Sequence, residues 1–204
     1  MILSMVNMGA GKKDLRNRYV FAAVFAALIA VSGFFIIPLP GGIPIVLKNM
    51  FVVLSGTVLG SFYGGIAVLI LISAGLVGIP VFVIPGGPGV FLTPLGGYII
   101  GYFAASLCAG LICGLPKVNE KKSRSLSFLR VCIGSFTGFT VILLCGSLYM
   151  VFLLSISFSA AISAGFIPFI LADALKFIIS VPLAAKLRPI AARYINSYGG
   201  IESK

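Results

Sequence analysis

Asp173 and Lys176 stand three residues apart in the stretch 166–183, whose other residues are almost all apolar. In an α-helix, three residues turn through about 300° and rise roughly 4.5 Å, so the two side chains share one face. If the stretch crosses a bilayer, each charge costs about 2.5–3.5 kcal/mol to insert. Two chemistries offset that cost. The pair neutralises itself and simply lets the helix insert, or it forms a polar reader at the base of a ligand pocket, with a carboxylate to accept hydrogen bonds and an ammonium to hold an anion.

The elements around the pair are membrane elements. Of 204 residues, 60% are hydrophobic and 9% charged, too little charge to cover the surface of a water-soluble domain. The apolar runs are long and continuous, which selects helices over a barrel of short alternating strands. Six spans are predicted, at about 19–37, 46–60, 62–79, 94–115, 128–153 and 166–187, separated by Pro, Gly and charged clusters. The second is short, and its start at 44–50 is a candidate to dip into the membrane. The first follows a basic segment and has the length of a full span, so it reads as an uncleaved helix. Residues 1–18 form a basic N-terminal segment, 19–190 the six-helix unit and 191–204 a C-terminal tail.

Thirteen of the fifteen Lys and Arg residues fall in three clusters: before span one, around the loop between spans four and five, and at or after the end of span six. Six spans put all three on one side, which the positive-inside rule makes cytoplasmic, with both termini there. The net charge of +11 is therefore a topology signal, with anionic lipid as a further attraction, and no indication of nucleic-acid binding. Lys48 and Lys176 escape the rule. Lys48 is either a solvated loop lysine or a second cation facing an outward-opening cavity with Lys176.

The outer segments 38–44 and 79–97 are dense in Pro and Gly yet carry Phe82, Val83, Ile84, Val90, Phe91 and Leu92. Apolar loops of restricted backbone read as lids capping a cavity, or as contacts with headgroups. Glycines four apart at Gly56/Gly60/Gly64, Gly97/Gly101, Gly110/Gly114 and Gly134/Gly138 suit close helix packing. In span one, Ala22/Ala26 and Ala23/Ala27 form two offset small-residue pairs for a contact inside the bundle or with another protein.

Catalytic chemistry finds no set of residues. There is no histidine, and Asp173 is the sole acid within a predicted span. No nucleophile–base pair or carboxylate pair can be assembled. The four cysteines, Cys108, Cys113, Cys132 and Cys145, read as small apolar fillers, with no cofactor or metal expected. Gly9-Ala-Gly11-Lys12-Lys13 lacks phosphate-loop spacing, so uphill transport needs an ion gradient or a partner ATPase.

Four segments in order carry a family resemblance: the Pro-rich 37–60, Gly75-Leu-Val-Gly-Ile-Pro-Val-Phe82, Thr93-Pro-Leu-Gly-Gly-Tyr-Ile-Ile-Gly101 and Ala172-Asp-Ala-Leu-Lys176. Over nearly its whole length the chain resembles the biotin-specific substrate-binding component (BioY family) of energy-coupling-factor transporters. It carries Val46 and Lys48 where the family usually has Thr-x-Gln, and Leu71 in place of a common tyrosine. The resemblance implies that Asp173 and Lys176 contact biotin, the transported ligand. With them, Lys48, Asn49, Phe82, Phe91 and Tyr98 make up the expected substrate-binding set. It also implies that Ala22, Ala23, Ala26 and Ala27 dock on a transmembrane coupling subunit, itself bound to two ATPases, in the cell membrane. A solitary or ion-coupled carrier for a vitamin-like carboxylate and a non-catalytic membrane scaffold are the competing readings.

Overall fold

The computed structural model describes residues 12–38, 44–82, 87–117 and 124–195. Helix α1 spans Lys12–Ser32. A short hairpin follows, in which β1 (Ile36–Pro38) pairs antiparallel with β2 (Pro44–Val46), Ile36 opposite Val46 and Pro38 opposite Pro44. Then come α2 (Lys48–Leu59) and α3 (Ser61–Leu76), a 3-10 turn at Pro88–Leu92, α4 (Leu95–Cys113), α5 (Arg124–Leu154), α6 (Phe158–Gly165) and α7 (Ile167–Ile195). The lid residues Val83 and Ile84, residues 39–43, Lys121 and Lys122, and the chain ends 1–11 and 196–204 lie outside the described residues.

The result is an all-helical membrane bundle apart from the hairpin. Four helices are long and apolar enough to cross a bilayer, within 15–32, 95–113, 125–154 and 167–195. The second and third expected spans are shorter than predicted, at 12 and 16 residues. At about 1.5 Å per residue they reach roughly 18 and 24 Å, less than the roughly 30 Å of a hydrocarbon core. Gly60 is the cause. Its φ of +81° ends α2, and α3 restarts at the next residue. The expected dip at 44–50 is instead strand β2 followed directly by the first turn of α2.

The glycine ladder around Gly60 explains why these two helices can fold so closely. A Cβ on Gly64 would lie 2.7 Å from Gly56 Cα and 2.8 Å from both Ser106 Oγ and Ser55 O. Ser55 and Ser106 hydroxyls share a hydrogen bond of 3.0 Å across the α2–α4 contact. Small residues therefore bring α2, α3 and α4 to backbone contact, with Leu54, Val58, Leu59, Tyr63, Ala67 and Leu71 forming the core around them. The outside is apolar as lipid demands: Phe136, Phe152, Leu171 and Ile178 are all exposed.

Among the described residues, two members of the basic clusters are buried: Arg18, whose guanidinium lies 5.6 Å from the centre of the Tyr63 ring, and Arg188. Arg188, counted with the C-terminal cluster, is 3% exposed and bonded within the bundle.

Candidate functional site

Asp173 and Lys176 come together as their spacing requires, with Nζ donating to Oδ1 at 2.6 Å. Both are buried, at 4% and 3% exposure, so the pair faces the bundle and not lipid. The second carboxylate oxygen, Oδ2, is buried and accepts no hydrogen bond of normal geometry among the described residues. The Asn49 side chain lies close enough to influence the carboxylate without closing a bond of that quality onto Oδ2. An acceptor left open beside a donor is a place where a ligand N–H is favoured, because a buried unsatisfied oxygen costs about 1–3 kcal/mol.

Tyr98 and Tyr102, one turn apart on α4, lie within electrostatic reach of the same carboxylate. Tyr98 donates its hydroxyl to the Gly165 carbonyl at 2.7 Å and stands 6.1 Å, centroid to centroid, from Phe169. Gly146 and Gly165 carry no side chains where its ring and hydroxyl lie. The site is thus assembled from the first turn of α2, the first two turns of α4 and the second and third turns of α7. Asn49 and Tyr98 were expected there. Tyr102 was not, although its position four residues beyond Tyr98 puts it on the same helical face.

Lys48 lies inside the bundle. It is 2% exposed, and its ammonium donates to the Val81 carbonyl and lies 5.6 Å from the centre of the Phe82 ring. Its Cε and Nζ also fill the space beside Gly33, at 2.5 and 2.6 Å from where a Cβ would stand. A solvated loop lysine is therefore excluded. Asp173 and Lys176 are not among its partners in the described residues. Lys48 instead ties the end of α1 and the chain following α3 to the start of α2. Lys48→Met removes the donor and leaves the Val81 carbonyl buried, and is expected to cost about 1–3 kcal/mol, read as a lowered melting temperature of the purified protein.

Phe82 packs over Gly75, while Gly87 N–H donates to the Gly75 carbonyl at 2.7 Å, which folds the 79–97 connection back onto α3. The half-buried Phe91 offers its carbonyl to the Tyr149 hydroxyl, anchoring the 3-10 turn to α5. On α1 the two alanine pairs separate. Ala22 and Ala26 are buried in the bundle at 0% and 4% exposure, whereas Ala23 and Ala27 are exposed beside Val20, Val24 and Leu28.

The sequence model of the BioY family matches residues 7–193. The chain is 34% identical over 170 residues to the "Biotin transporter BioY" of Thermotoga maritima, covering 83% of this chain and 94% of that protein. It is 35% identical over 167 residues to the "Probable biotin transporter BioY" of Pyrococcus horikoshii, covering 81% and 93%. Among solved structures, it matches the S-component for biotin from an ECF-type ABC transporter with a TM-score of 0.74 and 26% identity, over 88% of this chain and 95% of that one.

Proposed function

The chain belongs to the BioY family, and from that premise we propose that it is the membrane-embedded biotin-binding component of a vitamin-uptake transporter. It is a transport component and not an enzyme, and biotin is its cargo. The observation that carries the reading is the buried Asp173–Lys176 pair with an open carboxylate oxygen, close to Asn49 and within electrostatic reach of Tyr98 and Tyr102. Biotin presents two ureido N–H donors at one end and a carboxylate at the other. The aspartate accepts from N–H groups, the lysine pairs with an anion, and the tyrosine rings provide apolar walls for the bicyclic body. Binding by both ends of the pair favours the free acid. Biotin methyl ester is expected to displace labelled biotin less well than biotin does; equal competition would show that no lysine reads the carboxylate.

The architecture that goes with this function has six helices in the membrane, the short α2 and α3 included, with apolar outer connections over the ligand. Both termini and the basic clusters face the cytoplasm, following the positive-inside rule. Energy comes from a transmembrane coupling subunit with two ATPases, which matches a chain with no nucleotide-binding motif of its own. Docking on that subunit falls to the exposed half of the alanine face, Ala23 and Ala27, where small side chains let a partner helix approach closely.

Replacing Ala23 and Ala27 with Leu is expected to leave biotin binding intact and to weaken co-purification with the coupling subunit. The matching change at Ala22 and Ala26, which would overpack the bundle, is expected to lower folding and ligand binding together. Partner assembly unaffected by the outward pair would contradict this docking surface. Biotin uptake in cells lacking the ATPase subunits would contradict the energised-component reading.

A further inference from the structure

The three helices that carry the ligand site meet a second time, at their other ends, on one guanidinium. Arg188 of α7 donates from Nη1 to the carbonyl of Thr57, near the end of α2, and to that of Gly114 at 3.3 Å. Nη2 donates to the carbonyl of Cys113 at 3.0 Å and reaches that of Leu115 at 3.5 Å. Carbonyls in a last helical turn have no intrahelical partner, and the helix dipole makes that end attractive to a cation. Arg188 therefore closes the ends of α2 and α4 at once. Those helices bring Asn49, Tyr98 and Tyr102 to the site, and Arg188 shares its own helix with Asp173 and Lys176.

The seam between the two polar places is built mainly of small residues, with Phe177 half-buried among them and edge-on to Phe136. Asp173, Ser180, Ala184 and Arg188 are all buried on α7, and at about 100° per residue they fall within roughly 80° of arc. Serine and alanine let helices approach closely but interdigitate little, which leaves Phe177 as the main side chain whose packing resists axial sliding along this face. A planar guanidinium with directional donors aimed at fixed carbonyls resists it well. The distance from Asp173 to Arg188 along the helix is about 22 Å; Pro182 between them removes one backbone hydrogen bond, but α7 runs unbroken from Ile167 to Ile195 and so couples a displacement at one end to the other.

We propose that Arg188 is a positioning residue for the ligand site: its bonds to the ends of α2 and α4 set the axial register of α7, and thereby place Asp173 and Lys176 opposite Asn49, Tyr98 and Tyr102. The proposal rests on the biotin reading only for the identity of the ligand. Recognition geometry of this kind tolerates displacements of about 0.5 Å, so a slipped α7 binds poorly even when folded.

The test separates affinity from folded fraction. Arg188→Lys keeps the charge and loses the fork, and Arg188→Gln loses both. Titration of each purified variant with labelled biotin is expected to give a Kd raised tenfold or more at wild-type stoichiometry. In a cycle with Asn49→Ala, the two effects on affinity are expected to be non-additive, because Arg188 acts through the Asn49–Asp173 juxtaposition. A residue of merely structural value would lower the stoichiometry and leave the Kd of the remaining folded protein within twofold of wild type; that result overturns the proposal. Should Arg188→Gln fail to fold, Arg188→Lys carries the same comparison. A ligand-free readout keeps the register claim apart from the biotin claim. Spin-labelled amino acids incorporated at the exposed positions Ile100 on α4 and Leu171 on α7 should report a shifted or broadened distance in Arg188→Lys. An unchanged distance contradicts the proposal whether or not the wild type binds biotin. Absence of biotin binding by the wild type, with the distance shifted as expected, counts against the ligand alone.

Discussion

Lys176→Ala is expected to raise the Kd for biotin by about 30-fold or more, the consequence of losing a desolvated charged contact worth about 2–5 kcal/mol. Two effects combine. The ligand loses its cationic partner, and Asp173 loses the neighbour that donates to Oδ1 at 2.6 Å, leaving a carboxylate buried at 4% exposure with no cation of its own helix beside it. Asp173→Asn preserves shape but removes the anion, and is expected to weaken binding to a similar degree. The double variant Asp173→Asn/Lys176→Met separates recognition from folding, since it buries no charge at all. It should fold at least as well as either single variant and still bind biotin poorly. Wild-type affinity in that double variant would mean that the pair serves only to let α7 enter the membrane.

The largest effect on the fold is expected at Gly64. Valine there would place Cβ 2.7 Å from Gly56 Cα and 2.8 Å from Ser55 O, both backbone atoms of α2. Unlike the tip of a flexible side chain, backbone cannot rotate away, so α2 and α3 must part. Overpacking of this sort costs about 3 kcal/mol or more, with the α2–α4 serine contact disturbed as well. Gly64→Val is therefore expected to lose most of its monodisperse yield in detergent. Gly89→Ala is the matching control, because nothing lies within 4 Å of its Cβ position, and it should stay within about 0.5 kcal/mol of wild type. Comparable losses in both variants would remove the close approach of α2 and α3 as the cause.

The ion pair was legible in the sequence because spacing along one helix fixes which side chains meet. Relations between helices were not. The positive-inside rule treats basic residues in bulk and so conceals Arg188, whose partners are backbone carbonyls of helices far away in sequence. Backbone carbonyls have no sequence signature, and the same blindness hid the bond from Lys48 to Val81. Ala-x-x-x-Ala marks a small face without saying which way it turns. The hundred degrees separating Ala22 from Ala23 is what puts one in the core and the other on the surface. Glycines four apart announced close packing, but the sharp reversal at Gly60 depends on a positive φ that hydropathy does not register. Tyr102 was within reach of a periodicity argument from Tyr98 and was missed because it reads as one more apolar residue in a span.

Equilibrium binding of labelled biotin to the purified wild-type protein, reconstituted without any partner, decides whether this chain alone holds the vitamin. Saturable binding of one biotin per chain is expected, displaced by unlabelled biotin and weakened by about 30-fold or more in Lys176→Ala. No saturable binding by folded wild-type protein, or equal affinity in wild type and Lys176→Ala, would contradict it.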